Sequence, residues 1–133
     1  MDAPAIIRRG QIWTAYLNPS RGREVGKIRP VLVIQGDWLS AAQDHTVIVL
    51  PLTSDVHGSR EPLRVTLPAR DALRKESQVV VDQPRTVDRR RLGPEPLTEL
   101  TAAEMARVEQ SLLAVMGVAT AHFARQGQGL LST

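Results

Sequence analysis

The sequence has no cysteine, few aromatic residues and no long apolar run, and each absence narrows the range of functions. Without cysteine the chain forms neither disulfide bonds nor thiolate metal sites, which suits a cytoplasmic protein. Aromatic residues make up 3% of the 133 residues, so stacking platforms for the bases of single-stranded nucleic acids are in short supply. No segment approaches the roughly 20 apolar residues of a membrane span. We therefore expect a cytoplasmic protein that does not contact a membrane.

Metal sites and the common catalytic motifs are also missing from the sequence. His45, His57 and His122 lie far apart and have no other ligand at a useful spacing. There is no HExxH pair, no P-loop, no dinucleotide-binding glycine pattern and no GxSxG elbow. The sequence therefore predicts no bound metal, no cofactor and no serine nucleophile.

The charge balance is mildly basic, with 17 Lys and Arg against 14 Asp and Glu and a formal net charge of +3. An excess of this size is compatible with an anionic partner such as nucleic acid, and equally with a role in solubility alone. The length fits one domain with a normal core. We assign that domain to residues 1–118 and interpret residues 119–133 as a flexible C-terminal tail.

Strand patterns follow one another along most of the chain without long helices between them. The segments with strand character, the last of them either a short strand or a turn, are residues 11–17, 30–35, 46–53, 63–67, 78–82 and 84–87. Residues 36–45 form a loop or one helical turn, and residues 68–75 (PARDALRK) are predicted to form a short surface helix. Successive strands favour a mostly antiparallel, strongly bent sheet or partial barrel.

The clearest helix is predicted from Thr101 to Met116. Thr101 followed by Glu104 is the pattern of a capping box, and Gly117 is a plausible stop. An apolar stripe at helical spacing is formed by Met105, Val108, Leu112 and Val115. Packing this stripe on the sheet gives a mostly β fold with a C-terminal helix, in the α+β class.

The stretch GREVGKIRP, at residues 22–30, is unusual for a solvated loop. Its glycines let the backbone approach a ligand closely. Pro30 biases Arg29 toward extended backbone, directly before a buried strand. An arginine held in this way is preorganised to bind phosphate oxygens through two N–H groups. Glu24 lies five residues earlier, and Thr53 ends the third strand.

Together, Glu24, Arg29 and Thr53 have the groups for a metal-free attack of a ribose 2′-hydroxyl on the neighbouring phosphate. The carboxylate would help to remove the proton, the arginine would stabilise the phosphorane, and the threonine would hold a phosphoryl oxygen. The alternative is a loop salt bridge between Glu24 and Arg29, which is worth about 0–1 kcal/mol. Spacing alone favours the salt bridge.

At these residues the sequence resembles the MazF/PemK family of toxin ribonucleases. The similar segments, in chain order, are RRGQIWTAYLNPSRGREVGKIRPVLVIQ, TVIVLPLTS and QVVVDQPRTVDRRRL, followed by the helix that ends at Gly117. They extend from about Arg9 to Val118, and their combination is specific although each piece alone is weak. The chain departs from the family at Val25, where a glutamine is common.

The resemblance implies a small SH3-like, CcdB-like antiparallel β-barrel that forms a homodimer. It implies an endoribonuclease that cleaves single-stranded RNA at short sequences without a metal or cofactor, leaves a cyclic phosphate, and is inhibited by a cognate MazE-like antitoxin. The family's catalytic arginine and threonine correspond to Arg29 and Thr53, and its acidic loop residue corresponds to Glu24. The positions that we expect to bind RNA are Gly26, Lys27, Ser54, Arg60, Gln83 and Arg85.

Two other functions are compatible with the same fold or charge. A CcdB-like toxin that poisons gyrase binds its target without catalysis, but such toxins end in a Trp-Gly-Ile-like segment whereas this chain ends in LLST. A non-catalytic nucleic-acid-binding module predicts steeply salt-dependent binding that leaves RNA intact. Cleavage of RNA discriminates the endoribonuclease from both alternatives.

Overall fold

The computed structural model describes residues 6–17, 27–58 and 60–118, and within these ranges the chain forms a sheet with two α-helices. The strands are β1 (Gln11–Leu17), β2 (Lys27–Val33), β3 (Thr46–Thr53), β4 (Arg64–Leu67), β5 (Ser77–Val80), β6 (Arg85–Asp88) and β7 (Thr98–Glu99). The helices are α1 (Asp37–Ala42) and α2 (Ala102–Val115), and a short 3-10 helix covers Arg89–Arg91. The predicted succession of strands followed by a C-terminal helix is confirmed.

The strand pairs of the described chain are antiparallel, and the sheet bends around β3. Along one edge β3 pairs with β2. Along the other edge it pairs with β6 through residues 46–49 and then with β5 through residues 52–53. Because β3 changes partners along one edge, the path β4-β5-β3-β2-β1-β7 curls into a half-barrel. The predicted bent sheet or partial barrel is therefore confirmed.

Two layers of apolar side chains cover the two faces of this sheet. Along β1, Trp13, Ala15 and Leu17 belong to one layer and Ile12 to the other, as the alternation of a strand requires. The layer beneath α2 also contains Leu32, Leu50, Leu52, Val65, Leu67, Val79, Met105 and Val108. Because both faces are covered, β2 and β3 carry nearly continuous apolar runs instead of a strict alternation of apolar and polar residues.

Helix α2 begins with the predicted capping box. The Glu104 N–H donates to Thr101 Oγ1 at 3.1 Å, and the Thr101 N–H donates to Glu104 Oε1 at 2.9 Å, which satisfies N–H groups that have no partner inside the helix. Gly117, with φ at 77°, ends the helix as predicted. Val108 is fully buried, whereas Val115, two turns later on the same side, is 36% exposed. The predicted stripe therefore packs on the core as far as Leu112, and Val115 lies at its exposed end.

The predicted surface helix at residues 68–75 is wrong. The segment is a turn with an isolated bridge between Arg70 and Leu73. Asp71 has φ at 50°, in the left-handed region that an α-helix excludes. An eight-residue helix is not stable by itself in water, so the contacts of this segment with the rest of the chain decide its conformation.

One strand begins three residues earlier than predicted, and the sequence analysis predicts no strand at residues 98–99. β2 begins at Lys27, three residues before Pro30, because residues 27–29 pair with β1. β7 pairs with β1 but has only two residues, too few to carry a strand pattern in the sequence. The tail assigned to residues 119–133 lies outside the described residues. No helix in the described ranges is long and apolar enough to span a membrane.

Candidate active site

The ends of β2 and β3 bring Arg29 and Thr53 to the same place. The two strands are paired up to Val31 and Pro51. Continuing that register by two residues sets Arg29 across from Thr53, beyond the end of the ladder. Pro30 has no N–H to donate to a neighbouring strand, so the backbone just beyond the ladder lacks a donor that would extend the pairing.

A cavity of about 510 Å³ opens between these strand ends, within the roughly 300–1,000 Å³ typical of ligand clefts. One side, which we call the strand wall, is formed by Lys27, Ile28, Arg29, Pro30, Leu52, Thr53 and Ser54. The opposite side, which we call the turn wall, is formed by Ala72, Leu73, Arg74 and Lys75. Ser77 and Leu97 complete the lining. Four predicted site residues, at positions 27, 29, 53 and 54, therefore meet in one cavity.

Arg29 is half-buried, and the sheet fixes the base of its side chain. It pairs with Ala15 of β1, while Pro30 keeps its backbone extended. Among the described residues, no carboxylate forms an ion pair with its guanidinium. Glu24 and Gly26 lie outside the described residues, so the predicted pair of Glu24 with Arg29 stays a prediction. Within the described chain, the guanidinium N–H groups of Arg29 are open to an oxyanion.

The hydroxyl of Thr53 is oriented by its own loop. The Asp55 N–H donates to Thr53 Oγ1 at 3.1 Å, an arrangement common where a hydroxyl residue begins a turn. Because the oxygen accepts this bond, the hydroxyl hydrogen can point away from the loop and donate to a ligand. Ser54 also lines the cavity but is exposed, whereas Thr53 is half-buried. Thr53 is therefore the better ordered of the two hydroxyl groups.

The turn wall contributes two cations that the sequence analysis does not select, Arg74 and Lys75. With Lys27 and Arg29 they make four cations among the described residues of the lining, and none of the described lining residues is Asp or Glu. A concave surface with one sign of charge concentrates ions of the opposite sign. No local signal identifies Arg74 and Lys75, because the helix-like composition of PARDALRK predicts the wrong element and nothing in it indicates a position across from Arg29.

The turn wall is fastened to α2 and to β7 by side chains. Arg70 donates two hydrogen bonds of 2.7 Å to the Glu104 carboxylate at the start of α2. Thr98 Oγ1 of β7 donates to Asp71 Oδ2 at 2.7 Å. The hydrogen bonds from Arg70 lower the pKa of Glu104 from its ordinary 4.5 to about 2, because they favour the ionised carboxylate. The turn is thus held by a charged hydrogen-bonded pair as well as by its backbone.

Three residues predicted to bind RNA lie elsewhere on the surface. Arg60, in the loop between β3 and β4, Gln83, between β5 and β6, and Arg85 on β6 are exposed and do not line the cavity. Arg85 lines a separate cavity of about 280 Å³, together with Tyr16. In one copy of the chain these three residues are therefore not brought together with Arg29 and Thr53.

The described residues that line the cavity include no His, Asp or Glu side chain that could bind a metal ion. Within the described ranges, no group of three or more His, Asp or Glu side chains is placed to hold a metal ion. The groups that the cavity offers to a ligand are guanidinium, ammonium and hydroxyl donors. Donors of these kinds bind phosphate oxygens directly.

Comparison with known proteins points to one family. A family model described as PemK-like, MazF-like toxin of type II toxin–antitoxin system matches residues 8–116. The chain is 35% identical over 114 residues to the Endoribonuclease MazF of Staphylococcus epidermidis, which covers 85% of this chain and 93% of that protein.

Solved structures have the same fold. A MazE-MazF crystal structure from Deinococcus radiodurans is similar with a TM-score of 0.70 and 28% identity, covering 86% of this chain and 99% of the solved one. The Mycobacterium tuberculosis toxin MazF-mt6 is similar with a TM-score of 0.67 over 82% of this chain and 98% of the solved one. Its identity of 23% is evidence for the fold alone.

Proposed function

The chain belongs to the family of PemK-like, MazF-like toxins of type II toxin–antitoxin systems, and we propose that its cationic cavity is where it cleaves RNA. The protein is an endoribonuclease toxin that an antitoxin inhibits. The observation that carries the assignment of the site is the meeting of Arg29 and Thr53 across the ends of β2 and β3, in a cavity lined by four cations and no carboxylate of the described chain.

The reaction that fits these groups is a transesterification within the RNA strand. The ribose 2′-oxygen attacks the adjacent phosphorus, the bond from phosphorus to the 5′-oxygen breaks, and the products are a 2′,3′-cyclic phosphate and a 5′-hydroxyl. One proton leaves the 2′-hydroxyl for a base and another reaches the departing 5′-oxygen, so the step is balanced without a metal ion. We assign the base to Glu24, the acidic residue of the loop before Arg29, with another side chain or water as the alternatives.

Arg29 and Thr53 have complementary parts in this step. Negative charge builds on the non-bridging phosphate oxygens as the phosphorane forms, and the planar guanidinium of Arg29 is suited to donate two N–H bonds to them. Thr53 donates its hydroxyl hydrogen to one non-bridging phosphate oxygen. The Asp55 N–H, which donates to Thr53 Oγ1, keeps that hydroxyl group in place. Both groups are anchored on strands, so little reorganisation is needed during the reaction.

The other predicted contacts extend the site along the substrate. Lys27 and Ser54 line the cavity and bind phosphates next to the reacting group, and Gly26 lets the backbone come close to the RNA. Arg60, Gln83 and Arg85 lie apart from the cavity within one chain. We place them along a single-stranded RNA that crosses a homodimer in the cytoplasm, where a MazE-like antitoxin competes with the RNA.

The test is cleavage of a long single-stranded RNA by purified protein in EDTA, with cut sites mapped by primer extension. The parent should cut at discrete sites and leave cyclic phosphate ends. Arg29→Ala and Thr53→Ala should each be slower by about 100–1,000-fold, the usual loss when one donor to a developing oxyanion is removed. Arg8→Ala, which removes an exposed cation outside the cavity, should cut like the parent.

The other outcomes separate the alternatives. Loss of cutting in EDTA that returns with magnesium would overturn the metal-free reaction. RNA that is bound but stays intact would make the cavity a docking surface and the chain a binding module. If Arg29→Ala and Thr53→Ala both cut at the parent's rate, the reaction takes place elsewhere on the molecule.

A further inference from the structure

Arg74 and Lys75 differ from Arg70, which lies in the same turn, in having no carboxylate partner in the described chain. Arg70, a few residues earlier, forms an ion pair with Glu104, and its two hydrogen bonds are both 2.7 Å long. In such a pair the carboxylate offsets the charge of the arginine and occupies its N–H donors, so the arginine attracts a further anion only weakly. The two unpaired cations on the turn wall are those that line the cavity.

The turn that carries these cations is held more firmly than an ordinary surface loop. Asp71 adopts a φ of 50°, which a residue other than glycine rarely keeps unless its surroundings enforce it. Thr98 Oγ1 holds the Asp71 carboxylate at 2.7 Å, and the Ala72 N–H donates to the Leu97 carbonyl at 3.2 Å. Such anchoring lowers the conformational entropy that the turn would lose on binding a ligand.

Each wall also carries an apolar side chain. Leu52 of the strand wall and Leu73 of the turn wall are almost fully buried, and Leu97, which completes the lining, is half-buried. A ligand that fits this lining has anionic groups for the cations at the rim and a less polar body that rests on the leucines. The repeating unit of a nucleic acid strand has that character, with a charged phosphate on a sugar and base.

We propose that Arg74 and Lys75 form a second phosphate subsite, which binds the RNA phosphate adjacent to the one that reacts at Arg29 and Thr53. The proposal rests on the proposed function, because it takes the cavity to be the cleavage site. The strand wall holds the reacting phosphate and the turn wall holds its neighbour, so the cavity grips two consecutive phosphates of a single strand. The turn wall acts in binding and takes no part in bond breaking.

The first test is the salt dependence of binding to a single-stranded RNA that contains a mapped cut site and 2′-O-methyl groups in place of the attacking hydroxyls. Neutralising one phosphate of a single strand contributes a slope of about −0.7 to the plot of log K against log salt concentration. The slope of the variant Arg74→Ala/Lys75→Ala should therefore be less negative than the parent's by about 0.7. Its affinity near physiological salt should fall on the order of tenfold, as expected for a lost charged hydrogen bond.

A matched control removes the same net charge elsewhere. Arg8→Ala/Arg90→Ala takes away two exposed cations that do not line the cavity, and it changes the net charge by the same amount although Arg90 is paired with Asp88. If this double variant changes the slope and the affinity as much as Arg74→Ala/Lys75→Ala does, only overall charge matters and the subsite is overturned. If only Arg74→Ala/Lys75→Ala, the turn-wall variant, changes the slope of log K against log salt concentration, the subsite is supported.

Steady-state cleavage separates this role from catalysis and from folding. Because the neighbouring phosphate is bound equally in the ground state and in the transition state, KM should rise about tenfold and kcat should stay within about twofold. Thr98→Val removes the hydrogen bond that Thr98 donates to the Asp71 carboxylate without changing charge. Because the turn that carries Arg74 and Lys75 then loosens, KM should rise severalfold at unchanged kcat. A fall in kcat with KM unchanged, in either variant, would overturn the assignment.

Failure of this inference can be told from failure of the proposed function. A parent protein that neither binds nor cuts RNA overturns both. A parent that cuts RNA, with a turn-wall variant of the same KM and salt slope, overturns the subsite alone. If the variant loses affinity for the antitoxin but keeps its KM for RNA, the turn wall is a protein-binding surface and the phosphate subsite is wrong.

Discussion

The two walls of the cavity are positioned by different interactions. On the strand wall, Arg29 and Thr53 are placed by the register of β2 and β3 and by the pairing of Arg29 with β1. On the turn wall, Arg74 and Lys75 are placed by a segment without regular structure, which side chains tie to α2 and β7. A sheet resists displacement through many backbone hydrogen bonds, whereas the turn depends on a few side chains.

This difference matches what each wall has to do. An interaction with a developing charge must have a defined direction, which a strand provides because its neighbours fix its backbone. Holding a phosphate that does not react requires charge close by and tolerates a less exact geometry. We therefore expect changes on the strand wall to slow the chemical step and changes on the turn wall to weaken binding.

The largest effect should come from a swap of arginine for lysine on each wall. Arg29→Lys keeps the charge but loses the planar fork, so kcat should fall about 100-fold, near the lower end of the usual loss for one donor to an oxyanion. Arg74→Lys keeps the positive charge, which is what the turn wall contributes, so kcat and KM should stay within about twofold of the parent's values. Steady-state cleavage of one RNA by both variants measures the contrast. Equal effects of the two swaps would remove the distinction between the walls.

The next effect tests the dependence of the turn wall on Glu104. Glu104→Ala removes two hydrogen bonds from Arg70 and half of the capping box of α2. We expect the free energy of unfolding in urea to fall by about 1.5–3 kcal/mol, the range for hydrogen bonds to a charged group. KM should rise because the turn loosens, while kcat is kept. A protein as stable as the parent would mean that the ion pair does not hold the turn.

Lowering the pH should weaken the Arg70–Glu104 ion pair and reduce stability by less than the substitution does. The pKa of Glu104 is about 2 in the folded chain, below its ordinary 4.5, so folding favours the ionised form. Its contribution to stability is complete above about pH 4.5 and is lost as the pH falls through about 2. The loss should be smaller than in Glu104→Ala, because a protonated carboxyl group still accepts hydrogen bonds. Urea unfolding of the parent and of Glu104→Gln between these pH values checks this, and parallel curves for the two would contradict it.

The strand wall could be predicted from the sequence because its signals are local. Pro30 after Arg29 indicates an extended backbone, and the apolar runs before Thr53 and after Arg29 indicate two buried strands. Those strands require neighbours, so their ends meet at one rim. The turn wall has no such signal. Asp71 accepts a hydrogen bond from Thr98, and Arg70 pairs with a glutamate 34 positions later on a helix. No pattern in PARDALRK indicates either partner.

The smallest predicted effect concerns a side-chain tether behind the strand wall. Gln78 of β5 is 1% exposed, and its Nε2 donates to the Gly58 carbonyl at 2.6 Å and to Thr66 Oγ1 at 3.1 Å. Its Oε1 is buried without a partner in the described chain, and burial of an unpaired polar atom is unfavourable. We infer that the amide is tolerated because it holds the loop that follows Thr53.

Gln78→Met keeps the size of the side chain and removes both donor hydrogens. Because the variant also loses the unpaired Oε1, stability in urea should fall by only about 1 kcal/mol. Hydrogen exchange at the Asp55 amide, which donates to Thr53 Oγ1, should become several-fold faster as the loop loosens. Thr66→Val is the matched control, since it removes the other acceptor of Gln78 and leaves the bond to Gly58. Faster exchange in both variants would assign the effect to the sheet. Faster exchange in Gln78→Met alone would mean that the strand wall, like the turn wall, also depends on a long-range side-chain contact.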